Sequence, residues 1–340
     1  MLAVHAIPIS ERPSASVTQW IQLACFGTVF DLAILGIHAV QLLVLPLHLH
    51  PATLATYNHL VNLTKSLFGQ LLIFISTIWA PTVLRITVDQ GNDELDLNKI
   101  VQRHPDTGRV IGLDLPERMV LMANHQESAL LLFAAFKSYH SPEGFPEMDA
   151  VPYFGDQAYA AFFEKSRRAP SSRPKLDFQA QRILFCLRTL LPRIPTLRLL
   201  DVTIAYPGIP IGGYGQDYYT LMSIFGYGVA PPLIHMHLHS YSAKHEIPLG
   251  YGSVSDSTTT GSDSTETEKK EFDDWLLARW REKDARLQLF HDEGTLSSGN
   301  HVDIPVTMRN TREVAGLLAG CIFGLYVGKW AFKILWRFLI

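Results

Sequence analysis

The sequence predicts an α/β domain with transmembrane helices at both ends. Three observations lead to this prediction. The 340-residue chain is 47% hydrophobic but only 18% charged, whereas globular domains are about 25% charged. Its longest apolar stretches lie near the two termini. Between them, charged residues and Pro/Gly turns alternate with short apolar runs, as in a water-exposed domain built on strands and helices.

Two apolar segments near the N-terminus predict a transmembrane hairpin over residues 17–85. The first, Trp20–Leu49, contains only one formally charged residue, Asp31, and the second, Ser66–Leu84, contains none. A membrane-spanning helix needs about 20 apolar residues, so each segment is long enough to cross. A hairpin would leave the residues before and after it on the same side of the membrane.

The C-terminal residues 314–340 predict a further helix, either transmembrane or lying in the interface. This stretch is uncharged up to Gly328 and then carries Lys329, Lys333 and Arg337, which are four residues apart and therefore share one helical face. Long basic side chains at a helix end reach the head-group region, which fits a span. The same pattern also fits an amphipathic helix on an anionic surface.

The residues between these helices predict an α/β domain over 86–249. The runs RVIGLDLPERMVLMANHQ, LLDVTIAYPG and LIHMHLHSYS contain β-branched or alternating segments typical of strands, and AQRILFCLRTLL has helical periodicity. Residues 250–270 are rich in Ser, Thr and acidic side chains, which predicts a disordered linker. Residues 271–292 predict a charged amphipathic helix.

Composition excludes several function classes. The net charge of −3 provides no overall basic field for nucleic acid, and three cysteines are too few for a disulfide scaffold. His235, His237 and His239 alternate in a strand-like run, so they project from one face, and such spacing can bind zinc. Because no carboxylate in that run has ligand spacing, we predict no metal site, and a zinc hydrolase is the weakest of three functional hypotheses.

The motif Met122–Gln126, MANHQ, carries the clearest chemical signal. It follows a short apolar run and would place His125 at the mouth of a sheet. Histidine is the side chain best suited to accept a proton near neutral pH, so His125 is the predicted general base.

Taken together, several stretches resemble the lysophospholipid or 1-acyl-glycerol-3-phosphate acyltransferase family, and most closely its eukaryotic, fungal-like lysophosphatidylinositol or lysocardiolipin acyltransferase branch. They are MANHQ, Leu200–Pro210, Gly215–Phe225, His235–Pro248 and WLLARWREKDARLQLF. The resemblance implies an α/β acyltransferase domain that moves an acyl chain from acyl-CoA to the free hydroxyl of a lysophospholipid or lysophosphatidic acid. It implies acyl-CoA as a co-substrate with no other cofactor, membrane lipids as partners, and a multi-pass protein of the endoplasmic reticulum membrane with its domain facing the cytosol.

In that family a His-x4-Asp motif performs the chemistry, and the resemblance assigns the role of the His to His125. The position of the Asp is held by Leu130, so Glu127 is the predicted substitute. The predicted substrate-binding residues are Asn124, Glu143, Gly144, Arg167 and Arg168. The two arginines belong to a basic patch that would contact lipid or CoA phosphates, or alternatively form a solvated loop or an anionic membrane contact.

The order of the motifs also departs from the family. The family's Phe-Pro-Glu-Gly block follows a Val-Pro-x-x-Gly-like stretch, whereas here Ser141–Gly144 precedes Val151–Gly155. Two interpretations stay open: a member with a degenerate core, or a chain from which coding sequence after His125 is missing. The functional alternative is a catalytically inactive member that acts as a lipid-binding or scaffold membrane protein.

Overall fold

The computed structural model describes residues 4–89, 95–124, 183–250, 266–308 and 313–333. Excepted within these ranges are Thr107, Arg109, Glu117, Ile211, Gly212 and several positions from Cys321 onwards. All structural statements below concern this part of the chain.

The N-terminal hairpin consists of α1 (Val17–Val44) and α2 (Leu54–Trp79), joined by short 3-10 turns. Ser16 begins α1 with a capping box to Gln19, which satisfies amide groups that the first helical turn leaves free. The small residues Ala33, Gly36 and Ala39 are the buried positions of α1, so one narrow side of this helix is covered. Gln41 Nε2 donates to Thr64 Oγ1 of α2 at 2.9 Å.

Both arms of the hairpin are long and apolar enough to cross a membrane, over Val17–Leu49 and Pro51–Trp79. Only 17% of the most apolar window of the first arm, and 39% of that of the second, is buried inside the protein. A core helix of a water-soluble domain would bury most of its apolar residues. The exposed apolar surface is therefore the physical reason to consider a bilayer around this hairpin.

The second arm differs from the sequence expectation at both ends. The helix begins at Leu54 rather than Ser66, and it ends at Trp79 rather than Leu84. Proline disfavours the helical conformation of the residue before it, and Ala80, which precedes Pro81, has left the helix at φ −145° and ψ 57°. Leu84 belongs instead to a strand.

The main sheet has five strands in the order β4-β5-β6-β1-β7. Strand β4 runs parallel to β5, β5 antiparallel to β6, β6 parallel to β1, and β1 antiparallel to β7. Two short strands, β2 and β3, form a separate antiparallel pair after the one-turn helix α3 (Leu97–Ile100). The strand bounds are β1 Val83–Val88, β2 Val101–Arg103, β3 Val110–Leu113, β4 Met119–Ala123, β5 Arg198–Ala205, β6 Leu233–Ser242 and β7 His301–Pro305.

The two faces of this sheet are covered by different elements. One face shares a hydrophobic cluster with α1 and α2, and Leu200, Val202 and Met236 belong to it. The opposite face is covered by α4 (residues 183–190) and α5 (Glu266–Glu293), whose cluster includes Leu187 and Phe272. The chain from residue 313 onwards is helical at its described positions, and we name residues 313–320 α6.

The hairpin joins the sheet at one end of its strands. Parallel strands β4 and β5 finish at this end, and β6 and β1 begin there, because they run opposite to β5. Helix α2 ends at Trp79 and β1 begins at Val83, at this same end of the sheet. Between them, Thr82 Oγ1 donates to the carbonyl of Pro231, just before β6, at 2.7 Å. We call this end of the sheet, where β4 and β5 finish and β6 and β1 start, the hairpin edge.

The structure confirms the strands expected in RVIGLDLPERMVLMANHQ, LLDVTIAYPG and LIHMHLHSYS, and the helix expected in AQRILFCLRTLL. A helix is present where the sequence predicts one over 271–292, but it begins at Glu266, inside the expected linker 250–270. The remaining linker residues 251–265 lie outside the described residues. The sequence did not predict strands β1, β2 and β7.

Candidate functional site

Asn124 follows the last residue of β4 and ties the end of that strand to β5. Its Nδ2 donates to the carbonyl of Ile204 at 2.8 Å, and its Oδ1 accepts from the amide of Ile204 at 2.7 Å. The side-chain amide thus provides one donor and one acceptor to the backbone of β5 at the point where the pairing of β4 with β5 ends. This contact fixes the position from which the chain leaves the sheet at the hairpin edge.

The other predicted site residues lie outside the described residues. They are His125, Glu127, Glu143, Gly144, Arg167 and Arg168. His125 is the next residue after Asn124 in the chain, so its backbone nitrogen is joined directly to a residue held at the hairpin edge. The roles of these six residues, and the substrate contact predicted for Asn124, stay predictions.

A polar network occupies the sheet face beneath α5. Asp89, just after β1, accepts hydrogen bonds from Nε2 of His237 at 3.1 Å and from Nδ1 of His239. Arg286 of α5 donates to both oxygens of this carboxylate, at 3.1 and 3.3 Å. Burial by itself would raise the pKa of Asp89, but the two imidazoles and the guanidinium more than offset it and hold that pKa well below its usual range.

A buried ion pair between α5 and β5 lies near this network, close enough for Arg286 and His239 to influence the pKa of Asp201. Lys283 is 1% exposed and its ammonium pairs with Asp201, which is 4% exposed. The Lys283 Nζ also donates to the carbonyl of Val202 at 2.8 Å. Burial lowers the pKa of Lys283, although the Asp201 carboxylate opposes that shift. Because Val202 pairs with Ala123, the last residue of β4, this lysine contacts β5 beside the strand that precedes His125.

His235 lies at the start of β6, on the hairpin-edge side of the same face. It is 4% exposed, and its ring lies 4.7 Å from the ring of Phe290 in an edge-to-face arrangement. Burial, with a smaller contribution from the nearby Arg85 charge, lowers the pKa of His235 to about 4. This imidazole is therefore neutral at physiological pH.

The three alternating histidines share one sheet face, as their spacing predicts. His237 is held between Asp89 and Thr87, whose Oγ1 lies 3.0 Å from Nδ1, and His239 shares the same carboxylate. Both ring nitrogens of His237 and Nδ1 of His239 are thus engaged in hydrogen bonds, whereas the buried Nδ1 of His235 has no hydrogen-bond partner among the described residues. In the part of the chain that the structure describes, no three His, Cys, Asp or Glu side chains are placed to hold a metal ion.

The sequence did not indicate that Asp89 pairs with Arg286 or that Asp201 pairs with Lys283. The available signal was an acid in the middle of an apolar strand, LLDVTIA, because a buried carboxylate requires a partner. The partner could not be located, since Lys283 lies 82 positions further along the chain.

Among characterised proteins, this chain is similar to the 2-acyl-1-lysophosphatidylinositol acyltransferase of Saccharomyces cerevisiae. The two are 31% identical over 163 residues, which is 48% of this chain and 36% of the yeast protein. No family model matches the chain, and no solved structure matches it. The likeness supports an acyltransferase family, whereas the fungal branch and the degenerate core stay predictions.

Proposed function

We propose that this protein is a membrane-bound acyltransferase that transfers an acyl chain from acyl-CoA to the free hydroxyl of a lysophospholipid or lysophosphatidic acid. The observation that carries the proposal is the similarity to the yeast lysophosphatidylinositol acyltransferase. That similarity covers only part of each protein, so the activity and the substrates are inferences for this chain.

The architecture supports the proposal because the predicted base follows a strand that ends at the hairpin edge. Helix α2 enters the sheet at this edge, and Asn124 holds the end of β4 there. A lipid hydroxyl is delivered from a bilayer surface. A base joined to the sheet edge that also holds the apolar hairpin is suited to reach such a hydroxyl.

The proposed chemistry transfers the acyl group without a covalent enzyme intermediate. The imidazole of His125 removes the proton of the lysolipid hydroxyl, and the resulting oxygen attacks the thioester carbonyl carbon of acyl-CoA. The tetrahedral intermediate collapses, the carbon–sulfur bond breaks, and the CoA thiolate takes the proton from the imidazolium. A base that titrates near neutral pH suits both proton transfers.

The orienting carboxylate is the weak point of this site. Leu130 occupies the position at which the resembled family has Asp, and Glu127, the substitute that we propose, lies two rather than five positions after His125 and is therefore less well placed to orient it. In a serine-protease triad, loss of the orienting acid reduces turnover by about 10⁴. We therefore expect low activity in the natural chain and an increase in the variant Leu130→Asp.

The test is transfer of radiolabelled acyl groups from acyl-CoA to a panel of lysophospholipids, with membranes that lack the host's own acyltransferases. We expect His125→Ala to remove most of the measured transfer, since a general base contributes about 10²–10⁴-fold. His245→Ala is the matched control, because His245 is exposed in the turn after β6. Full activity in His125→Ala would reject His125 as the base, and no transfer in either the natural chain or Leu130→Asp would favour an inactive protein.

We also propose that the protein resides in the endoplasmic reticulum membrane with its α/β domain in the cytosol, where acyl-CoA is available. The residues before the hairpin and the domain after it would then both be cytosolic. A protease added to sealed microsomes should remove an N-terminal tag and digest the domain together. Protection of either one would contradict this topology.

A further inference from the structure

The segment between β5 and β6 contains a π-helical turn, Met222–Gly226, which packs against the first third of α1. Phe225 of the turn stacks on Phe26 of α1 with ring centroids 5.3 Å apart. Gly226 lies so close to Leu23 that an added Cβ would be only 2.5 Å from a methyl carbon of that leucine. The turn is therefore closely fitted to the hairpin at the hairpin edge.

Two large apolar side chains at the start of this turn point away from the protein. Leu221 is 58% exposed and Met222 is 51% exposed, whereas Ser223 and Ile224, which follow them, are buried. On the adjacent end of α1, Val17, Trp20 and Ile21 are exposed as well. Single exposed apolar residues are ordinary, but several of them on two elements that pack together indicate a binding surface. We call these five residues the apolar rim.

Two carbonyls at the end of the turn accept hydrogen bonds from side chains of α1 rather than being left to water. The carbonyl of Phe225 accepts from Nε2 of Gln22 at 3.1 Å, and the carbonyl of Tyr227 accepts from Nε2 of Gln19 at 3.0 Å. An irregular backbone in contact with water needs no such partners. At the level of a bilayer, an unsatisfied carbonyl costs several kcal/mol, so internal partners are required there.

Aromatic and cationic groups in the rim and beside it are of the types that concentrate at a membrane interface. Trp20 and Tyr227 lie edge to face with centroids 6.1 Å apart, and these two residue types concentrate at the boundary between lipid and water. Arg12, just before α1, donates to the carbonyl of Tyr218 at 2.6 Å and thereby places a cationic group beside the turn. Anionic head groups attract such a charge.

We propose that the apolar rim inserts into the lipid bilayer, so that the π-helical turn is an interfacial membrane element in addition to the hairpin. The occupant is the boundary between head groups and acyl chains of the leaflet that faces the α/β domain. The argument rests on the close packing of the turn against α1 and on the apolar surface that α1 leaves exposed. This inference uses the membrane attachment proposed above but not the acyl transfer.

The experiment measures the depth of single nitroxide labels in the full chain. Cys25, Cys186 and Cys321 are replaced by alanine, and Met222→Cys or Leu221→Cys is labelled in vesicles of phosphatidylcholine with a minor fraction of phosphatidylinositol. Phe185→Cys is the matched control, because Phe185 is a large apolar residue that is 67% exposed on α4, away from the hairpin. Relaxation by oxygen, which enters lipid, is compared with relaxation by a water-soluble nickel chelate.

We expect the ratio of oxygen to nickel relaxation to be several-fold higher at positions 221 and 222 than at 185. Two labelled positions are used so that one badly folded variant does not decide the result. Equal nickel access at 221, 222 and 185 in vesicle-bound protein would overturn the rim insertion while leaving membrane attachment intact. Failure of the protein to float with the vesicles would overturn the attachment itself. Both readouts are independent of catalysis, so an inactive chain would still test the proposal.

Discussion

The two faces of β5 are stabilised by different physics within a single strand. Leu200, Val202 and Ile204 face the cluster shared with the hairpin, and each is fully buried among apolar neighbours. Asp201 and Thr203 alternate with them and face α5, where Lys283 provides the charge that Asp201 needs. The apolar face requires only volume and hydrophobicity, whereas the polar face requires a specific partner from a distant helix.

This difference bears on how each face positions the hairpin edge. The apolar face accepts many side chains of similar size, because hydrophobic contact is non-directional. The polar face fixes α5 in one register, since Lys283 and Arg286 must reach Asp201 and Asp89 at the same time. We therefore expect substitutions on the two faces to differ in how much they lower the free energy of unfolding, in whether a second substitution restores it, and in whether the loss depends on pH.

The largest effect should come from removal of the buried cation. Lys283→Met removes the ion-pair partner of the buried Asp201 carboxylate, and breaking a buried pair in this way costs about 3–5 kcal/mol. The free energy of unfolding, measured with urea in detergent micelles, should fall by that amount. The double variant Asp201→Leu/Lys283→Met should recover most of the loss, because no uncompensated charge remains. Equal losses in the single and double variants would contradict a charge-based explanation.

A neighbouring substitution on the apolar face should cost slightly less and should not depend on charge. Leu200→Ala removes buried methyl groups and leaves a cavity, which costs about 2–5 kcal/mol. Leu200→Met preserves volume and should cost less than about 1.5 kcal/mol. The same urea titrations at several pH values provide the measurement. A loss that changed with pH would mean that the two faces are coupled.

The same contrast explains which parts of the fold could be predicted from the sequence. Strands β4, β5 and β6 were predictable because apolar or β-branched residues mark them locally. Strand β1 follows an apolar helix so closely that its residues extended the predicted second span to Leu84. Strand β7, HVDIP, has one buried residue, Ile304, and therefore almost no hydrophobic pattern.

The candidate site was predictable only where chemistry and chain position coincide. The motif around Asn124 follows a recognisable strand, and the structure places that residue at the hairpin edge. The Asp89 network joins residues separated by 148 to 197 positions, and only the sheet register brings them together. Spacing along a single chain carries no information about such a contact.

The stability contributed by the polar face should depend on pH, unlike that of the apolar face, because His235 titrates there. Its pKa is about 4 in the folded protein and 6.5 in its ordinary state, so the unfolded chain binds a proton first as the pH falls. Folding should therefore lose up to about 3 kcal/mol between pH 6.5 and 4, and none of this loss occurs above pH 6.5. The lowered pKa of Asp89 acts in a different window, because its stabilising effect is lost only in stronger acid.

His235→Leu should flatten this part of the stability profile, since leucine fills the site without titrating. His245→Gln is the control, because His245 is exposed and should leave the slope unchanged. Urea midpoints collected across the same pH range provide the readout. A slope that persists in His235→Leu would assign the proton uptake to another group.

The smallest effect should come from the exposed ion pair that joins β1 to the edge strand β7. Arg85 donates to both carboxylate oxygens of Asp303 at 2.7 Å, which is the bidentate geometry of strong Arg–carboxylate pairs. The side chains of Arg85 and Asp303 are, however, 28% and 42% exposed, so water and salt screen the attraction between them. Arg85→Gln should therefore cost less than about 1 kcal/mol, and that cost should shrink further in concentrated salt. Unfolding titrations at low and high salt measure both quantities. A loss as large as that of Lys283→Met would mean that bond geometry rather than burial sets the strength of ion pairs in this protein.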